Sequence, residues 1–105
     1  MAVCSLKEVG PRIKSVLADV GCVQKAWVFG SFASNKITEE SDVDILLEFT
    51  PINNIDIMDM AVIQANLSEV LGRNVDIMDL AHLDSEGSEE LKRQIHANQV
   101  LVFPQ

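Results

Sequence analysis

Asp42, Val43 and Asp44 run without a break into Ile45, Leu46 and Leu47, and this junction restricts the fold more than any other stretch of the sequence. The run from Val43 to Phe49 is strongly apolar apart from its acidic start and Glu48, so it reads as a strand that belongs in an interior. Side chains alternate along a strand, so Asp42 and Asp44 share a face, with α-carbons about 6.5 Å apart. Two carboxylates so placed repel, and are costly when partly buried. A fold tolerates them at the mouth of an interior strand when a divalent cation neutralises them. Hard oxygen ligands of this kind suit Mg²⁺ or Mn²⁺. The plainer alternative is a solvated, acidic strand entrance.

A second feature lies upstream of Asp42, across a spacer of ten residues. The apolar run Ala26 to Phe29 reads as a short buried strand, and it runs straight into Gly30 and Ser31. Glycine lets another group approach the backbone closely. Ser31 opens a short helix, whose free N–H groups and dipole favour an anion, and its hydroxyl can reach a phosphate oxygen. By itself a Gly-Ser after a strand is an ordinary turn. Beside an acidic pair it becomes a phosphate cradle next to a metal site, the equipment of phosphoryl or nucleotidyl transfer.

The surrounding chain alternates. Ser5 to Glu8 has the pattern of a capping box, and Leu6, Val9, Ile13, Val16, Leu17 and Val20 follow at helical spacing. Gly10 and Pro11 predict that this helix either kinks or starts there, and Gly21 is a plausible stop. Thr50 and Pro51 end the strand that follows Asp42. Met60, Ile63, Leu67, Val70 and Leu71 form one stripe of an amphipathic helix between Ile55 and Leu71, with Asn53 or Asn54 as its cap and Gly72 as its end. Val75 to Leu80 reads as a third strand, Ser85 to Ala97 as a final short helix, and Val100 to Phe103 as a last edge strand before Pro104. This order predicts an α/β domain with a small sheet. At 105 residues without a linker or low-complexity tract, the expectation is one domain over 1–105. The near-repeat of Asn54–Met60 in Asn74–Leu80 is read as coincidence, because only the first copy continues with helical periodicity.

The combined pattern resembles the nucleotidyltransferase superfamily that includes DNA polymerase β. Its signature is Gly-Ser, a spacer of about ten residues, Asp-x-Asp, and a third carboxylate on a neighbouring strand. Here these are Gly30 and Ser31, ten residues, Asp42 and Asp44, and Asp76 between Val75 and Ile77. The chain looks like a minimal nucleotidyltransferase (MNT), and the likeness covers nearly all of it. The resemblance implies a small mixed β-sheet with flanking helices. It implies that Asp42 and Asp44 hold two Mg²⁺ (or Mn²⁺) ions with the nucleoside triphosphate, and that Asp76 completes the site and helps activate the attacking hydroxyl. Gly30 and Ser31 would contact the β- and γ-phosphates. Asp79 is the runner-up for the third carboxylate, although on a strand it faces away from Asp76. Asp56 is a weaker candidate, since an acid is favourable at a helix start anyway. One position departs from the pattern: family members often carry arginine where this chain has Ser34. Lys36 could partly substitute, as a point charge rather than a fork, and Asn35 can adopt the left-handed conformation of the usual glycine.

Acidic residues number 16 against 8 basic ones, a net charge of −8, so a free nucleic-acid binder or a protein held on an anionic membrane is disfavoured. MNT proteins resembling this one pair with HEPN-domain proteins in toxin–antitoxin systems. The resemblance therefore implies an antitoxin that transfers AMP from ATP to a tyrosine of a HEPN toxin. An acidic surface fits docking to an RNA-binding, basic protein, and a single-domain chain needs a partner to present the hydroxyl. The competing functions are an inactive MNT that neutralises its HEPN partner by stoichiometric binding, and a small-molecule nucleotidyltransferase, a class that usually carries an additional helical domain. Met1 to Leu6 has no long apolar segment, and no apolar run approaches the roughly 20 residues of a membrane span, so a soluble cytoplasmic protein is expected. Cys4 and Cys22 read as reduced thiols, His82 and His96 as surface side chains, Trp27 as core, and Met58, Met60 and Met78 as packing. Glu39, Glu40, Glu89 and Glu90 read as solvated faces.

Overall fold

The computed structural model describes residues 5–34, 36–51 and 55–104. Helix α1 (Leu6–Ala18) opens the fold and strand β1 (Val23–Phe29) follows; then come α2 (Ser31–Ser34), β2 (Val43–Phe49), α3 (Ile57–Leu71), β3 (Val75–Asp79), α4 (Leu80–Glu86), α5 (Glu89–Asn98) and β4 (Val100–Phe103). The sheet order is β3-β2-β1-β4. β1 is antiparallel to both β2 and β4, whereas β2 and β3 run parallel. The fold is thus the small mixed α/β sheet with flanking helices that the sequence pattern implies. No helix among the described residues is long and apolar enough to cross a membrane.

Alternation along β2 divides the interior. Val43, Ile45 and Leu47 point into the larger core with Val9, Ile13 and Leu17 of α1 and Ile63, Leu67 and Leu71 of α3. Leu46 points to the opposite face, where Leu83 of α4 and Ile95 of α5 cover it together with Trp27, Phe29 and Met78. Asp44 lies on this second, more thinly covered face, because it is two residues from Leu46. All four apolar residues from Val43 to Leu47 are fully buried, which makes β2 the spine of the molecule.

Several local expectations are refined. Helix α1 starts at Ser5, whose hydroxyl accepts from the Glu8 N–H, and runs on through Gly10 and Pro11. Only half of the capping box forms, since Ser5 Oγ meets the Glu8 side chain itself at 3.5 Å. β1 is longer than Ala26 to Phe29, starting at Val23. β3 ends at Asp79, because that side chain accepts from the Ala81 N–H and starts α4, a helix the periodicity did not reveal. The near-repeat diverges as expected, one copy entering α3 and the other forming β3. Asn35 and the caps considered at Asn53 and Asn54 lie outside the described residues, as does Cys4. α3 is instead capped by Asp56, whose side chain accepts from the Asp59 N–H at 2.9 Å while Asp59 accepts from the Asp56 N–H at 3.2 Å.

Met58 does not pack. It is 68% exposed, beside Ile57 at 83% and Val62 at 57%, so α3 carries apolar side chains outward as well as inward. Val70, assigned to the inner stripe, is also exposed. Met78 does pack, against the second cluster, and Trp27 joins it as a half-buried rather than central residue. His82 and His96 are exposed, and their partners are Glu86 at 3.2 Å and Gln99 at 2.7 Å.

The capping role of Asp56 is open to test. Asp56→Ala should lower stability by about 1 kcal/mol, read as a shifted urea midpoint with unchanged slope, and should leave nucleotide capture intact. A loss of nucleotide binding without loss of stability would return Asp56 to the site.

Candidate functional site

The site is built where β1 ends. Gly30 takes φ +72, a left-handed turn that L-residues with side chains rarely adopt. The Ser34 N–H and hydroxyl both donate to the Gly30 carbonyl, at 3.0 and 3.1 Å, and the Lys36 N–H donates to the Ser31 carbonyl at 2.9 Å. These bonds hold α2 as a single tight turn. A Cβ on Gly30 would collide with the Asp44 carboxylate, so glycine is required here by crowding as well as by conformation.

Pairing of the strands brings the acids together. Asp44 pairs with Phe29 across the antiparallel β1–β2 ladder, which sets its carboxylate against Gly30. In the parallel β2–β3 ladder Asp44 is directly in register with Asp76. Asp76 thus stands beside Asp44, and Asp42, just before β2, is near enough that both charges repel it. Asp44 is half-buried while Asp42 and Asp76 are exposed. The Asp44 carboxyl is pushed up to about 6, first by burial and then by the charges of Asp76 and Asp42.

Asp42, Asp44 and Asp76 therefore gather at one end of the sheet, on its thinly covered face, with Gly30 and Ser31 alongside. They do not yet surround a common point: among the described residues no three acidic, histidine or cysteine side chains converge as around a bound ion. The donor set still fits a hard divalent cation, being all oxygen, partly open to solvent and carrying repulsion that such a cation would relieve. Lys36 is exposed and contributes a backbone bond to the turn. Asp79 is excluded from the cluster, standing at the far end of β3 as the cap of α4. Asp56 is likewise a helix cap. The sequence reading passed over Arg73, whose guanidinium reaches the loop before Asp42; the available signal was a lone cation three residues ahead of Asp76.

A family model of polymerase β nucleotidyltransferases matches residues 11–105. The chain belongs to the polymerase β nucleotidyltransferase family. A Methanocaldococcus jannaschii protein provisionally named a protein adenylyltransferase is 36% identical over 69 residues, which span 66% of this chain and 71% of that protein. Among solved structures, a toxin–antitoxin with AMP-PNP aligns with a TM-score of 0.73 at 22% identity, over 91% of this chain and 73% of the other. A tri-AMPylated Shewanella oneidensis HEPN toxin in complex with MNT antitoxin gives a TM-score of 0.67 at 20% identity, over 94% and 72% of the two chains. At these identities the solved structures speak for the fold. Nucleotidyltransferases of this family generally use a divalent cation and a nucleoside triphosphate.

The crowded carboxyl makes a prediction for the metal-free protein. Between about pH 4 and 6 the folded state holds a proton at Asp44 that the unfolded chain has released, so stability falls as pH rises through that window. Asp44→Asn should remove this penalty. It should melt with wild type near pH 4 and be more stable above pH 7 by about 1–2 kcal/mol, a figure reduced for the carboxyl's solvent contact. A thermal melt series in chelator checks this, and parallel curves across the pH range would show that the acids do not interact.

Proposed function

We propose that this nucleotidyltransferase is a protein adenylyltransferase that moves AMP from ATP to a tyrosine hydroxyl of a HEPN toxin and thereby acts as its antitoxin. The 105 residues act as one minimal nucleotidyltransferase domain. The observation that carries this reading is the in-register pairing of Asp44 with Asp76, with Gly30 pressed against the Asp44 carboxylate. The provisional adenylyltransferase name of the archaeal relative and the HEPN-toxin complex among the fold neighbours support it.

In this reading Asp42 and Asp44 would hold two divalent ions, Mg²⁺ or Mn²⁺, and Asp76 would complete the set. When bound, such ions neutralise phosphate charge and ease ionisation of the attacking hydroxyl. Gly30 and Ser31 would contact the β- and γ-phosphates, and Lys36 would add a point charge. Asp76, exposed beside Asp44, would orient the tyrosine hydroxyl and take its proton. The hydroxyl oxygen then bonds to the α-phosphorus, the α–β phosphoanhydride bond breaks, and pyrophosphate leaves with its electron pair. Asp44 must lose its proton before it can serve as a ligand, so protons and the divalent ion compete for it.

One observation favours a second reading, stoichiometric inhibition of the toxin. Ser34 stands where relatives often carry arginine, and its hydroxyl is taken up by the Gly30 and Ser31 carbonyls. It therefore offers no cation to a triphosphate.

ATP binding measured by calorimetry should require Mg²⁺ or Mn²⁺; equal affinity in excess chelator would remove the metal from the reading. Incubation of the HEPN partner with this chain, ATP and Mg²⁺ should add one or more AMP masses to the toxin. Asp44→Asn should slow that gain about 100-fold or more while leaving the fold and the complex intact. A wild-type chain that silences the toxin without any mass gain selects the stoichiometric reading. Transfer by Asp44→Asn at the wild-type rate would show that the site is elsewhere.

A further inference from the structure

The loop that delivers Asp42 is tied down from outside the acidic cluster. α3 stops at Gly72, whose φ of +68 turns the chain left-handed while its N–H donates to the Ser68 carbonyl at 2.9 Å. The Ser68 hydroxyl then donates to the Arg73 carbonyl at 2.7 Å. Arg73 is thereby held between the end of α3 and the start of β3, and its side chain is aimed across the sheet end. Its Nη1 donates to the carbonyls of Thr38 and Ser41, both at 2.9 Å, and lies 3.4 Å from that of Glu39. Its Cζ is 5.2 Å from the centre of the Phe32 ring, the buried residue of α2.

Carbonyl oxygens brought to one spot repel, and the neighbouring Glu39, Glu40 and Asp42 add negative charge to the same cavity of about 500 Å³. Arg73 is the cation among its described lining residues. A planar guanidinium can satisfy several carbonyls while stacking on a ring, which a lysine ammonium does poorly. The turn's own bonds are local: Thr38 N–H donates to Ser41 Oγ at 2.7 Å, Ser41 N–H to the Thr38 carbonyl at 3.2 Å and Glu40 N–H to Thr38 Oγ1 at 3.3 Å, and the Thr38 and Ser41 hydroxyls lie 3.2 Å apart; Ile37 packs on the core before it, and Val43 N–H donates to the Asn74 carbonyl at 2.9 Å beyond it.

We infer that Arg73 is a positioning residue: it locks the Thr38–Ser41 turn against Phe32 of α2, and so presets where Asp42 stands relative to Gly30 and Ser31. One side chain thereby couples the two halves of the site. Phe32 follows the Gly30–Ser31 turn directly, and Ser41 precedes Asp42 directly. The consequence for cation and nucleotide capture rests on the proposed adenylyltransferase reading, whereas the lock itself does not.

Two measurements on wild type, Arg73→Met and Arg73→Lys test this. In hydrogen exchange without metal or nucleotide, the amides of residues 36–43 should exchange about tenfold faster in Arg73→Met, the scale of losing a charge-assisted hydrogen bond, with a cooperative melt retained. Arg73→Lys should recover less than half of that protection. In a Mn²⁺ titration with ATP followed by electron paramagnetic resonance, Arg73→Met should bind about tenfold more weakly, and Arg73→Lys nearly as weakly. Should Arg73→Met fail to fold, Arg73→Lys carries both comparisons, since it keeps the charge and loses the planar group over the Phe32 ring. Unchanged exchange over 36–43 overturns the lock. Faster exchange with unchanged Mn²⁺–ATP affinity overturns the positioning role. If wild type itself takes up no Mn²⁺ with ATP, the adenylyltransferase reading fails and the claim on Asp42 falls with it, while the exchange result still decides the lock.

Discussion

Carboxylates crowded at one end of a sheet repel one another, and everything else in this fold must supply the attraction that keeps them there. The attraction comes from β2. Val43, Ile45, Leu46 and Leu47 are each fully buried, and each such side chain contributes about 1.5–3 kcal/mol. The charge penalty at Asp44 is smaller, about 1–2 kcal/mol once its contact with water is counted. Hydrophobic burial along four positions outweighs electrostatic strain at one. The acids are therefore held chiefly by their neighbours in the chain, and they remain available to a cation.

The two faces of the sheet are covered unequally, and this decides where chemistry can happen. α1 and α3 seal one face along the length of the strands. On the other, α4 and α5 cover Leu46 and leave the Asp42–Asp44 end open. A nucleotidyltransferase needs such an opening, because its acceptor must reach the acids from solvent. The outward-facing Ile57, Met58 and Val62 lie toward the opposite end, where α3 starts after β2 has run away from the site.

How much of this was legible depends on the range of the interactions. β2, the Gly30 turn and the acidic pair are written locally, in an apolar run, a glycine and an alternation of two, so the sequence announces them. Asp76 was legible only through a family pattern, because a register between strands 32 residues apart has no local signature. α4 was missed because Asp79 reads equally well as the end of a strand and as a helix cap, and only the Ala81 N–H decides. The periodic stripe of α3 did pick out Ile63, Leu67 and Leu71, which are buried, whereas Met58 was assigned to packing by residue type alone and lies outside that stripe. Arg73 was invisible for the same reason as Asp76: the carbonyls it gathers lie 32 to 35 residues away.

Register is the last link, and it explains why a site made of repelling groups is reproducible. Side chains on a strand change face with each residue, so a slip of one position between β1 and β2 would turn Asp44 toward α1 and α3. That face has no buried polar group among the described residues, and a carboxylate placed there would be unpaired. The same slip would move Ile45 and Leu47 out of the larger core. Both errors cost far more than the crowding at Asp44. The core thus selects the one alignment in which Asp44 meets Asp76 on one side and Gly30 on the other, and the geometry of the acids follows from packing that the acids take no part in.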